Sequence, residues 1–233
     1  MNGDTVFHQL FETESSTYTY LIADRKTREA ALIDPVLETV DRDLKLITEL
    51  GIKLKYVLDT HIHADHITGA GEIRKRLGVK TGISEHADVE CVDIPLRDGQ
   101  ELLLGNKKIK VIATPGHTNT CNSYLFENMI FTGDALLVRG CGRTDFQQGS
   151  SDKLFNSVRN ILFALPEDTI VYPGHDYKGH TSSSIAEEKK FNSRLNLSID
   201  LGTFKKIMSE LNLANPKKIH EAVPANMACG KKN

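Results

Sequence analysis

Four apolar runs in this chain end alike, and that shared ending limits the possible folds more than any other feature. "YVLDTHIHADH" leads from a strand-like run into His61, His63, Asp65 and His66. "VIATPGH" delivers His117, "MIFTGD" delivers Asp134 and "TIVYPGH" delivers His175. In the last three the run stops at a glycine-containing turn, where glycine lets the chain bend sharply and bring the next side chain inward. Sites in layered α/β proteins gather at one rim of a sheet, on loops anchored by a rigid core. The four endings therefore predict strands whose ends converge on one cluster.

The rest of the chain fits a mixed α/β layer protein. Short β-type runs, "TVFHQLF", "TYTYLIA" and "EAALID", fill the start. In "ETVDRDLKLITELG" the apolar residues Val40, Leu44, Ile47 and Leu50 recur at helical spacing, and Gly51 is the expected C-cap. "GAGEIRKRLG" reads as a short helix closed by Gly78, and "NSYLFENMIFTGD" as a hairpin turning at Glu127-Asn128. "SDKLFNSVRNILFAL" predicts a serine-capped amphipathic helix with Leu154, Val158, Ile161 and Leu162 on one face. A further helix is expected around "DLGTFKKIMSEL", and the terminal "AVPANMACGKKN" reads as irregular.

Imidazole and carboxylate groups without cysteine suit zinc, iron or manganese and do not make a structural zinc knot. A single histidine of this kind is as easily a hydrogen-bonded, half-buried side chain. Seven ligand-type residues at repeated strand ends are a metal site. His8, His86, His180 and His220 lack that context and read as surface or packing residues. The four cysteines are scattered, with no C-x-x-C pair, and are expected as free thiols in a reducing cytosol.

Composition excludes other classes. A net charge of −2 gives no electrostatic case for nucleic acid or an anionic membrane. No apolar run approaches the ~20 residues of a spanning helix. The first residues carry neither a basic-then-apolar signal nor an Arg-rich transit character, which favours a bacterial cytoplasmic protein, with a processed mitochondrial matrix protein as the alternative.

H-x-H-x-D-H followed by P-G-H, T-G-D and P-G-H resembles the metallo-β-lactamase superfamily, over residues 1 to about 180. The resemblance implies an αββα sandwich with the metal at one edge of the sheets, and residues 181–233 as a C-terminal helical extension packed on the same domain. "THIHADHITG", "TGDALLVRGCGRTDFQQG", "YPGHDY" and "PANMACG" are together similar to the persulfide dioxygenases, the ethylmalonic encephalopathy protein-like sulfur dioxygenases. That similarity implies one Fe(II) per chain, oxidation of glutathione persulfide by O2 and water to sulfite and glutathione, and a homodimer. By position it makes His61, His117 and Asp134 the iron ligands, with His63, Asp65, His66 and His175 around them. Two histidines and a carboxylate leave positions on Fe(II) open for two reactants.

Glutathione carries two carboxylates, so its pocket calls for cations and donors near the metal. Arg143 is the first candidate, then Arg139, with Tyr177 offering a hydroxyl at the same rim. Asp145 is an equally good structural partner for Arg143. Cys229 is expected as a buried, inert thiol.

The rival reading is a hydrolase of the glyoxalase II kind, in which two metals activate water against an acyl-glutathione thioester. All seven ligands of such a centre are present. Against it, only about 55 residues follow His175, and "GRTDFQ" and "ANMACG" fit the dioxygenases better. A metal-stabilised scaffold predicts lost ligands, and the complete set argues against it.

Overall fold

The β-type runs of the first third pair into one sheet. In the computed structural model, which describes residues 3–216 and 218–231, β1 (Thr5–Glu12), β2 (Thr17–Asp24), β3 (Glu29–Ile33), β4 (Lys53–Leu58), β5 (Lys80–Ser84) and β6 (Ile94–Leu96) form it in that order. A second sheet holds β7 (Glu101–Leu104), β8 (Lys107–Ala113), β9 (Asn122–Phe126), β10 (Met129–Gly133), β11 (Ile170–Pro173) and β12 (Ser183–Ser184).

Strands buried on both faces read as continuous apolar runs, and β3 shows why. Ala31 and Ile33 face the other sheet, whereas Ala30 and Leu32 face the helices outside. Between the sheets lies an aromatic core, in which Tyr20 and Phe131 meet at 4.9 Å between ring centroids. Helices α1 (Val40–Glu49) and α2 (Ala70–Leu77) cover the first sheet. The second is covered by α3 (Ser151–Asn156), α4 (Ile185–Phe191) and α5 (Leu201–Ser209). Phe204 of α5 is fully buried there, a contribution of roughly 1.5–3 kcal/mol. The layers are αββα, as the family resemblance implied.

Strand direction explains the convergence. β3 and β4 run parallel. β8 and β10 each pair antiparallel with β9 and so share a direction, and β11 runs parallel to β10. The C-terminal ends of β8, β10 and β11 therefore meet at one rim, and that of β4 meets them from the facing sheet. Among the described residues no helix is long and apolar enough to cross a membrane.

Local expectations hold at Gly51 and Gly78, both in the left-handed region, and at the two-residue turn Glu127-Asn128. Three do not. The helix opening at the Ser150 cap continues as a π-turn over Ser157–Ile161; its wider spacing turns Ile161 outward, 40% exposed, while Leu154, Val158 and Leu162 stay buried. The terminal stretch is not irregular: α6 (Ile219–Met227) includes Pro224, and tertiary contacts offset the hydrogen bond that proline removes. Lys232 and Asn233, at the end of that stretch, lie outside the described residues.

The third correction concerns the cysteines. Cys91 and Cys229 form a disulfide across 138 residues of sequence, so Cys229 is not a free thiol. The pairing depends on α6 folding back against α2, which cysteine spacing does not encode. Cys121 and Cys141 remain free and buried, and burial pushes their thiols up to about 12 and about 11.

Candidate metal centre

All seven ligand-type residues gather at the predicted rim. His61, His63, His66 and His175 are buried, while Asp65, His117 and Asp134 are partly open to a cleft. One ligand atom from each of His61, His117 and Asp134 lies within 4.8 Å of the other two. His61 comes from the first sheet, His117 and Asp134 from the second.

Hydrogen bonds fix which atoms face inward. The Arg143 carbonyl accepts from His117 Nδ1 at 2.7 Å, leaving Nε2 as a bare lone pair. The Thr60 hydroxyl donates to Asp34 Oδ2 at 2.9 Å. Its one proton is thereby committed, so His61 Nδ1 donates to Thr60 Oγ1 at 2.9 Å and again Nε2 is left bare. His175 Nδ1 donates to Asp134 Oδ1 at 2.6 Å. The other carboxylate oxygen, Oδ2, lies 3.6 Å from His117 Nε2.

Electrostatics agree with that arrangement. Burial, with His63 and His117 adding to it, holds His61 well below its ordinary pKa and therefore neutral. Burial alone would raise the Asp134 carboxyl, but the His175 and His117 imidazoles reverse this and hold it below the usual carboxylate range. A neutral His61 imidazole and an ionised Asp134 carboxylate are the protonation states in which such groups bind a cation.

His63 turns away from this triad. Its Nε2 donates to Asp34 at 3.1 Å, and although burial opposes the charge, Asp34 raises the imidazole to about 9. His175 also faces a second carboxylate, Asp65, at 3.0 Å. His63 Nδ1 and His66 Nε2 are buried without a hydrogen-bond partner among the described residues. With Asp65 they form a second group of ligand atoms within 4.8 Å of one another.

Asp34 is the residue that sequence reasoning missed. It stands directly after β3, at the end of "EAALID", so the strand-end signal used for the others also marks it. It accepts from the Thr60 amide at 2.7 Å, from the Thr60 hydroxyl and from His63.

Gly142 supplies a close approach. A Cβ there would stand 2.6 Å from the Asp134 carbonyl and 2.7 Å from His117 Nδ1. Gly142→Ala is expected to keep the fold but displace both ligands, lowering metal affinity about 10–100-fold, the range for groups that orient ligands. Metal titration of the purified variant checks this; unchanged affinity would remove Gly142 from the account.

A cleft of about 450 Å³ opens over the triad, with Arg139, Arg143 and Tyr177 in its wall. Arg143 holds Asp145 through two bonds of 2.6 and 2.7 Å, reaches the Ala214 carbonyl at 2.7 Å and lies over the Phe146 ring. Arg139 is engaged by Glu187, Glu188 and Ser183. Tyr177 is 72% exposed and stacked on His175. Lys178 also lines the cleft and has no ion-pair partner among the described residues; it carries no motif that the sequence would have revealed.

Residues 13–175 match the model of the Metallo-beta-lactamase superfamily. The human protein "Persulfide dioxygenase ETHE1, mitochondrial" is 50% identical over 97% of this chain and 89% of its own length. The crystal structure of ETHE1 from Myxococcus xanthus superposes with a TM-score of 0.94 at 53% identity, covering 97% of this chain and 100% of that one. The chain belongs to the persulfide dioxygenase family of the metallo-β-lactamase superfamily. "Glyoxylase B2" of Dictyostelium discoideum is more distant, 31% identical over 94% of this chain and 89% of its own.

Proposed function

We infer that this chain is a mononuclear non-haem Fe(II) dioxygenase, acting on glutathione persulfide. The reaction takes the persulfide, O2 and one water to glutathione and sulfite, with both atoms of O2 and the water oxygen ending in sulfite. One observation carries the mononuclear reading. His61, His117 and Asp134 present two bare Nε2 atoms and a carboxylate, while His63 is turned to Asp34. Bound there, Fe(II) would supply open positions at which a persulfide sulfur and O2 can meet.

The chain's own groups do the rest. Thr60 and the Arg143 carbonyl orient the two imidazoles, and His175 holds Asp134. The cleft walls come from residues 1–180 and from the extension 181–233, which contributes Arg194, Leu213 and Pro216. Arg143, Arg139 and Tyr177 are the proposed groups for the glutathione end. Arg143→Ala is expected to raise KM for glutathione persulfide at least about tenfold, ~1.4 kcal/mol. Metal should be retained, because it is the Arg143 backbone that touches His117. An unchanged KM in steady-state O2 uptake would take Arg143 out of the substrate site.

The second reading, a dinuclear hydrolase of acyl-glutathione, draws on the buried nitrogens of His63 and His66 that have no hydrogen-bond partner among the described residues. Elemental analysis of anaerobically purified protein, joined to O2 uptake on adding glutathione persulfide, separates the two. About one iron per chain with persulfide-dependent O2 consumption and sulfite is the expected result. About two metals per chain, no O2 uptake and thioester hydrolysis would overturn it.

A further inference from the structure

The histidine loop between β4 and α2 has no repetitive hydrogen bonding of its own, so its buried peptide groups need partners from elsewhere. One side chain supplies three. Asn226 of α6, 4% exposed, donates through Nδ2 to the carbonyls of His63 and His66, each at 2.9 Å. Its Oδ1 accepts from the Thr68 amide at 2.8 Å. The Thr68 hydroxyl in turn donates to Asp59 at 2.9 Å, which ties the end of the loop to its start.

The helix bearing Asn226 is itself held in place. The Cys229 carbonyl occupies the space above Gly71, where a Cβ would come within 1.9 Å of its oxygen. Cys229 is joined to Cys91. The segment around Cys91 brings Val89 and Val92 against Ile62 of the loop and Val223 of α6. Loop, helix and disulfide thus form one contiguous packed unit beside the metal ligands.

We propose that Asn226 is a positioning residue for the metal centre: it fixes the backbone of the histidine loop, and the Cys91–Cys229 disulfide keeps its helix seated. This rests on the reading that His61, His117 and Asp134 hold the metal. Asn226 touches neither metal nor substrate; it acts through the carbonyls of His63 and His66. Aspartate at this position would keep the acceptor for Thr68 but lose both donors and set a carboxylate against two carbonyls. A free Cys229 would leave α6 without its covalent tie to the segment around Cys91.

The test uses the full-length chain as Asn226→Asp and, separately, as Cys91→Ser. Two readouts are taken. In metal-free protein, amide hydrogen exchange across residues 61–69 is expected to speed up in Asn226→Asp, and less so in Cys91→Ser, while β8 and β10 stay protected. In Co(II) titrations, affinity is expected to fall about 10–100-fold with an altered visible spectrum of the bound ion. A purely structural residue would lower the melting temperature but leave the spectrum and affinity of the folded protein unchanged. That result, or unchanged loop exchange, overturns the proposal. If Asn226→Asp does not fold, Cys91→Ser decides by the same two readouts. Wild-type Co(II) binding that survives His117→Ala would instead indict the ligand assignment, while the exchange result would still judge Asn226.

Discussion

Replacing His117 with alanine is expected to abolish stoichiometric iron binding and persulfide-dependent O2 uptake while leaving a folded chain. His117 is partly exposed on a turn, so its loss opens little of the core. Its imidazole is one of only three groups in the proposed triad, and its Nδ1 is already committed to the Arg143 carbonyl. Residues that merely orient ligands cost about 10–100-fold in affinity when removed; loss of a ligand should exceed that. The checks are iron per chain after anaerobic desalting and O2 consumption with glutathione persulfide. A fully loaded His117→Ala variant with normal turnover would sink the triad. His63→Ala is the informative comparison. Because His63 faces Asp34, weakened rather than abolished binding is expected.

The second large effect is expected at Asp34, and it is one of stability. Its carboxylate is buried and serves three donors: the Thr60 amide, the Thr60 hydroxyl and His63. Asp34→Ala leaves a buried imidazole facing no partner, a change that costs roughly 3–5 kcal/mol. Against total stabilities of about 5–15 kcal/mol that is a severe loss, visible as a lower urea midpoint. It also releases the Thr60 hydroxyl that orients His61, so metal affinity should fall as well. If the stranded imidazole is the cause, Asp34→Ala combined with His63→Leu should lose less than the sum of the two single variants. Simple additivity would assign the loss to Thr60 instead.

These two residues also show what was legible in the sequence. His117 announces itself because an apolar run, a glycine turn and a ligand-type side chain follow one another locally. Asp34 also ends an apolar run, but no glycine turn precedes it, aspartate at a strand end is common and no neighbouring motif singles it out. Asn226 and the disulfide are different in kind. Asn226 meets His63 across 163 positions, and neither periodicity nor spacing encodes where a terminal helix lands. The tail read as irregular, yet it forms a helix that accommodates Pro224. Periodicity likewise placed Ile161 inward because it assumes α-helical spacing, which the π-turn breaks. Asp145 was legible as a partner for Arg143 because it lies two residues away, whereas Glu187 and Glu188, the partners of Arg139, are almost fifty positions distant.

The triad draws on both layers of the sandwich, with His61 following β4 and the other two groups following β8 and β10. An ion bound by all three is therefore a clasp between two sheets that already meet through an aromatic core and a few hydrogen bonds, such as that from the Tyr20 hydroxyl to the Pro173 carbonyl. Anything that binds only the native state stabilises it by about 2.7 kcal/mol at a hundredfold excess over Kd. Melting temperature then becomes a gauge of occupancy: heating the same protein at graded metal concentrations would trace the binding curve without any substrate at all.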